Sequence, residues 1–89
     1  MPDAEETLLE FPCDFPIKAI GPAGSAFEVL VIELVRSHAS DLDVETIKVR
    51  ASSGGKWASV TVTVRATSKQ QLDAIYQELT DHEMVKWAL

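Results

Sequence analysis

Five of the eight basic residues fall on alternating positions of segments that read as strands. Side chains two positions apart on a strand share one face of a sheet, and here small apolar residues occupy the other positions. We therefore predict that five cations point together away from the helices, forming a surface for an anionic partner. They are Lys18, Lys48, Arg50, Arg65 and Lys86.

Two other interpretations of these cations stay open. Exposed strands often carry long charged side chains that prevent aggregation, and lone surface charges contribute little energy. Alternatively, the acidic segment containing Glu5, Glu6 and Glu10 could fold back over the face. The predicted acids otherwise fall on the helices and loops, so the fold is expected to be electrically two-sided. Those acids are Glu28, Glu33, Asp41, Asp43, Asp73 and Glu78.

A glycine-containing turn is the second candidate site. Its residues are Gly21, Pro22, Ala23, Gly24 and Ser25. The turn joins a strand to a helix N-terminus, where free N–H groups and the helix dipole favour an anion or carboxylate. It lacks the spacing of a dinucleotide-binding or P-loop motif, and most such turns only redirect the chain.

No catalytic or metal-binding set is evident. Cys13 has no histidine near it in sequence, and the adjacent Asp14 disfavours a reactive thiolate. His38 lies at the predicted end of the first helix, where a favourable interaction with the helix dipole explains it without catalysis. His82 is predicted to be a surface residue between Asp81 and Glu83. These residues do not have zinc-ligand spacing. We expect no enzyme activity, metal or cofactor.

Composition predicts one cytoplasmic domain. The 89 residues are 46% hydrophobic and 25% charged, and the lone cysteine cannot form an internal disulfide. No targeting or membrane-spanning segment is expected. A net charge of −6 makes nucleic acid an unfavourable partner. Residues 1–12 read as an acidic, partly mobile segment, and residues 13–89 as the single domain.

Hydrophobic periodicity places six elements along the chain. Strands are predicted over 14–21, 44–53, 56–67 and 83–89, and helices over 25–39 and 68–81. Ser25 and Ser68 are the expected N-caps, each followed three residues later by a capping-box partner. Val29 and Ile32 lie outside the main apolar stripe of the first helix, so they either widen the core face or form an association surface.

The order βαββαβ predicts a ferredoxin-like α+β fold. Two helices would cover one face of a four-stranded antiparallel sheet as a two-layer sandwich. Right-handed crossovers place the first and third strands in the centre and the second and fourth at the edges. In the last strand, Val85, Trp87 and Leu89 are expected on one face and Lys86 on the other.

Short matches spread along the chain resemble the YbeD-like family of small uncharacterised bacterial proteins. The matching pieces are Leu8-Leu9-Glu10-Phe11-Pro12, Lys18 through Gly21, Arg36-Ser37-His38-Ala39, Ser52-Ser53-Gly54-Gly55-Lys56, Ser59-Val60-Thr61-Val62-Thr63, Ala66-Thr67 and Val85-Lys86-Trp87-Ala88-Leu89. The resemblance covers Leu8 to Leu89. It implies a ferredoxin-like sandwich similar to ACT regulatory domains and brings no established activity or catalytic residues.

These observations favour a non-enzymatic regulatory or adaptor domain that binds a protein or a small anionic ligand. Acylphosphatases share the topology, but the 21–25 turn lacks the arginine they need. RNA-recognition modules are the alternative, yet Ser59, Thr61 and Thr63 stand where stacking aromatics would be needed. Trp57 could anchor a partner, although a ring folded over the hairpin or the open face explains it without one. A monomer or weak homodimer is expected.

Overall fold

The central strand is built on alternating small apolar residues. The computed structural model describes residues 10–52 and 54–88. Strand β3 (Trp57–Ala66) buries every second side chain completely or nearly so and leaves the intervening ones partly or fully accessible. Its buried positions are Ala58, Val60, Val62, Val64 and Ala66. Because side chains alternate across a strand, this pattern gives β3 one core face and one open face.

The described sheet has the predicted order and directions. Strand β1 (Cys13–Pro22) pairs with β3 and with β4 (Trp87–Ala88), and β2 (Lys48–Ala51) pairs with β3. All three pairings are antiparallel and give the order β2-β3-β1-β4. The ferredoxin-like prediction, with the first and third strands central, is therefore confirmed.

The two helices start differently. Helix α2 (Lys69–Asp81) begins as predicted, because the Ser68 hydroxyl accepts the Gln71 N–H at 3.1 Å. Helix α1 (Ser25–Arg36) begins after Gly24, which has no side-chain cap, so the prediction of Ser25 as N-cap is wrong. Ser25 is already helical. Helix α1 also ends three residues earlier than predicted, at Arg36.

Both helices pack on one face of the sheet. Helix α1 contributes Phe27, Val31 and Val35 to the core. Helix α2 contributes three further residues, which are Leu72, Ile75 and Leu79. Ile32 packs partly buried against this core, whereas Val29 is 51% exposed. The wider core face therefore includes Ile32 but not Val29.

The edge strands are shorter than predicted. Residues Val44–Thr46 form a 3₁₀ turn because the Asp43 carboxylate accepts the Glu45 N–H at 3.0 Å. This side-chain cap competes with extended structure, so β2 begins only at Lys48. All four residues of β2 are exposed, including Val49, which lies on the helix side at the edge of the sheet.

The last strand departs most from prediction. Trp87 lies opposite Ile20 on the open face and is 62% exposed, so its predicted place beside buried Val85 is wrong. The reason is local: Val85 precedes β4 in a turn in which its N–H donates to the His82 carbonyl at 3.0 Å. Strict alternation does not extend across that turn. Leu89 lies outside the described residues.

The described residues begin at Glu10, within the segment predicted to precede the domain. Phe11 packs partly buried against the core, so apolar packing starts before Cys13. The predicted mobile part and its acids Glu5 and Glu6 lie outside the described residues. Within the described ranges, neither helix is long and apolar enough to span a bilayer.

Candidate functional site

Three cations gather on the open face around the centre of β3. The register places Lys18 of β1 and Lys48 of β2 on either side of Thr61. Arg50 lies two residues along β2, opposite Ser59. Because adjacent strands lie about 4.8 Å apart, the Cα atoms of the two lysines are about 10 Å apart. We call Lys18, Lys48 and Arg50 the cationic cluster.

The positive charge of this cluster is not neutralised by the described residues. Among residues 10–52 and 54–88, no carboxylate forms an ion pair with Lys18, Lys48 or Arg50. All three residues are exposed. Like charges at this spacing repel one another, and an anion bound between them would remove that repulsion. The Thr61 hydroxyl lies between the lysines as a further donor.

A recess of about 410 Å³ lies over the cluster. Its lining residues are Lys18, Lys48, Val49, Arg50, Ser59 and Thr61. The Ser59 hydroxyl donates weakly to the Arg50 carbonyl at 3.5 Å, so it is partly committed. The recess therefore presents mainly cationic donors.

The other two predicted cations lie apart from the cluster. Arg65 points to the open face, but Asp14 lies directly opposite it on β1. The Asp14 carboxylate accepts a hydrogen bond from the Arg65 guanidinium at an N···O distance of 3.4 Å. This acid on the open face was missed, although Asp14 has the same strand parity as Lys18. Arg65 is four residues along β3 from Thr61, or about 14 Å away. It therefore adds little uncompensated charge to the cluster.

Lys86 and Trp57 form the opposite end of the face. The Lys86 ammonium lies 5.4 Å from the centroid of the Trp57 ring, a cation–π distance. Trp57 lies opposite Pro22 on β1, with its side chain on the open face. Trp57 and Lys86 thus lie together at this end of the face, and a partner-binding role for either stays a prediction.

An apolar surface continues from Trp57 across the sheet. Ile20 of β1 is diagonal to Trp57 across the β1–β3 pair and directly opposite Trp87 on β4. A second recess of about 210 Å³ is lined by Trp57, Ile20 and neighbouring β2 residues. Lys18, Arg50 and Ser59 line both recesses. The two recesses therefore adjoin, the first mainly apolar and the second mainly polar.

The Gly21–Ser25 turn begins in the core and continues on the surface. Gly21 is buried in β1, while Ala23, Gly24 and Ser25 are exposed. The Ala23 N–H is already donated to the Lys56 carbonyl at 3.1 Å. Gly24 has φ 134°, a conformation that glycine adopts most easily. Packing against the core explains Gly21 without a ligand, and anion binding by this turn stays a prediction.

The histidines and the cysteine are held in separate places. His38 follows α1, and its Nε2 faces the Glu78 carboxylate of α2. The Nδ1 of His82 accepts the Met84 N–H at 3.2 Å, so this half-buried residue shapes the end of α2. Cys13 is half-buried at the start of β1. Within the described ranges, no three metal-ligating side chains come together.

Comparison of the sequence with known proteins identifies its family. The family model described as "Protein of unknown function (DUF493)" matches residues 6–89. The chain belongs to this family. A UPF0250 protein of Paraburkholderia phytofirmans is 47% identical over 89 residues, which is the full length of both chains. The UPF0250 protein of Chromobacterium violaceum is 49% identical over the same span.

A third relative supports the same assignment. A UPF0250 protein of Pseudomonas aeruginosa is 51% identical over 79 residues, covering 88% of this chain and 85% of its own. The resemblance to the YbeD-like family of small uncharacterised bacterial proteins is therefore confirmed. Family membership supports the fold and assigns no site, so function has to be argued from the open face.

Proposed function

We propose that this domain is a non-enzymatic regulatory or adaptor module that binds an anionic ligand on the open face of its sheet. The observation that carries the proposal is the cationic cluster of Lys18, Lys48 and Arg50. ACT domains, which have the same βαββαβ order of elements, bind small molecules. The comparison is an analogy of fold and is not evidence for a site.

The layout of the cluster supports a ligand rather than a purely structural role. A structural role in protecting the sheet edge would need charges only on β2, the exposed edge strand. Lys18 instead belongs to the central strand β1 and faces the same recess as Lys48. Its ammonium contributes nothing to protecting the β2 edge. Side chains of β1, β2 and β3 thus line one recess around this charge.

The charge type of the cluster indicates an oxyanion. A guanidinium presents a planar fork of donors to phosphate or carboxylate, and the lysines add two mobile ammonium groups. Together the three side chains carry a formal charge of +3 at neutral pH. A dianionic group therefore matches the cluster better than a single carboxylate.

Titration with inorganic phosphate tests the proposal. We expect saturable amide shifts in ¹H–¹⁵N NMR spectra at Lys18, Lys48 and Thr61, weakening as salt is raised. The Lys48→Gln/Arg50→Gln variant should weaken binding about tenfold, which corresponds to about 1.4 kcal/mol. Both residues are exposed, so the substitutions leave the core intact.

A matched control separates local from global charge. The Arg36→Gln/Lys56→Gln variant removes the same two residue types and the same net charge from exposed positions outside the cluster. It should bind phosphate like the parent protein. Equal weakening in both variants would reduce the effect to net charge, and the absence of saturable shifts would refute the proposal.

A further inference from the structure

We propose that the ligand of the open face is a small aromatic phosphate ester, with its phosphate on the cationic cluster and its ring against Trp57. This inference rests on the proposed function and adds the chemical class of the ligand. It starts from the fact that the two recesses adjoin, because three residues, Lys18, Arg50 and Ser59, line both.

The apolar recess differs in chemistry from its neighbour. Trp57, Ile20 and Ala51 contribute apolar surface to it, while Lys18 and Arg50 border it. The Lys86 ammonium lies over the Trp57 ring at 5.4 Å and helps to fix its orientation. Lys86 occupies one face of this indole, so the inference assigns its opposite face to stacking with the aromatic ring of the ligand. A purely inorganic anion would leave this surface unused.

Geometry sets the separation between the two ends of such a ligand. Trp57 and Thr61 are four residues apart on β3, which corresponds to about 14 Å between their Cα atoms. Ser59 lies midway, opposite Arg50. Because tryptophan, lysine and arginine side chains are long, a ring and a phosphate joined through one or a few bonds can contact both ends. The two adjoining recesses have volumes of about 210 and 410 Å³.

Charge favours a small ester over single-stranded RNA. A polyanion needs a track of cations, but the next basic residue along β3, Arg65, is paired with Asp14. The chain's net charge of −6 also repels a polyanion, whereas a single phosphate group meets the local positive cluster. The positions Ser59 and Thr61 offer hydroxyl groups rather than further rings for stacking successive bases.

Comparison of three probes on the full chain tests the inference. They are inorganic phosphate, 1-naphthyl phosphate and a ten-residue oligouridylate, each titrated at the same salt concentration. Naphthyl phosphate should bind at least about tenfold more tightly than phosphate, with shifts extending to Trp57 and Ile20. In Trp57→Leu this advantage should fall by about fivefold or more while phosphate affinity stays unchanged, and Trp57→Phe should restore part of it.

Trp87→Leu is the matched control, because Trp87 lies on the same face but outside the residues that line the apolar recess. It should leave both affinities unchanged, and amide dispersion verifies that every variant is folded. If phosphate binds and naphthyl phosphate gains nothing, this inference is wrong while the proposed function stands. Tighter binding of the oligouridylate would overturn it in favour of RNA. If none of the probes binds, both proposals fail.

Discussion

Replacing Gly21 by alanine is expected to destabilise the domain by about 3 kcal/mol. An alanine Cβ at this position would lie 2.5 Å from the Met84 carbonyl oxygen and 2.6 Å from Cζ of Phe27. Real Cβ atoms essentially never approach other heavy atoms below 3.0 Å, so the surroundings would have to move. Gly21 is therefore a position at which β1, α1 and the chain before β4 come into close contact.

The size of the effect follows from what would have to move. The Phe27 ring is only 1% exposed within the core, and the Met84 carbonyl belongs to the backbone. Overpacking a well-filled core costs about 1–3 kcal/mol, and two simultaneous clashes place this substitution at the upper end. A domain of this length has roughly 4–13 kcal/mol of stability. The variant should fold, with a melting temperature lower by roughly 12–24 °C.

Urea unfolding followed by tryptophan fluorescence measures the loss. With an m-value of about 1 kcal/mol per M, the midpoint should fall by about 3 M. Gly54→Ala is the control, because no described atom beyond its chain neighbours lies within 4 Å of its added Cβ. That variant should be unchanged or more stable by about 0.5 kcal/mol. Gly55→Ala, at φ 69°, should lose about 1 kcal/mol from backbone strain alone.

The order of these three changes in stability is the decisive result. A loss below about 1 kcal/mol for Gly21→Ala, or a loss no greater than that of Gly55→Ala, would refute the close-packing explanation. Close packing would then not explain the glycine at position 21. Ligand binding by the Gly21–Ser25 turn would be the remaining explanation proposed for it.

Two further predictions concern the helices. Ser68→Ala should destabilise the protein by about 1 kcal/mol because it removes the acceptor of the Gln71 N–H. Ser25→Ala should leave the stability unchanged, since Ser25 does not cap α1. Equal losses of stability in urea unfolding would contradict this assignment of the caps. Burial raises the pKa of Tyr76, so the unfolded chain loses this proton first and stability should fall as pH rises above about 10. Tyr76→Phe should lack that part of the decline, and parallel stability–pH curves for the two proteins would contradict a raised pKa of this half-buried tyrosine.

The sheet could be predicted from the sequence because its central strands carry an uninterrupted period of two. Val60, Val62 and Val64 are all completely buried, as their spacing indicates. Antiparallel pairing then carries that alternation to β1, where Ile17 and Ala19 are also completely buried. The same parity brings Lys18, Lys48 and Arg50 to one face without any knowledge of tertiary contacts.

Prediction failed where local hydrogen bonds interrupt the alternation. The Asp43 cap turns Val44–Thr46 into a 3₁₀ turn, and the turn before β4 places Val85 in the core while Trp87 faces outwards. Asp and Asn caps compete with extended structure in a way that hydrophobic periodicity does not detect. The place of Trp87 on the open face was therefore missed, since it depends on that turn and not on the alternation of the strand.

An acidic protein with a cationic recess can discriminate between anions by size. Near the recess, within about one Debye length of 8 Å, the charges of Lys18, Lys48 and Arg50 dominate. Acids on the helices, such as Glu33 and Glu78, lie on the other side of the sheet, and the core layer between is about 10 Å thick. A small anion that enters the recess meets mainly the cluster, whereas a long polyanion extends beyond it towards the negative remainder of the surface. Under the proposed function, we therefore expect a compact anionic ligand to bind more tightly than nucleic acid.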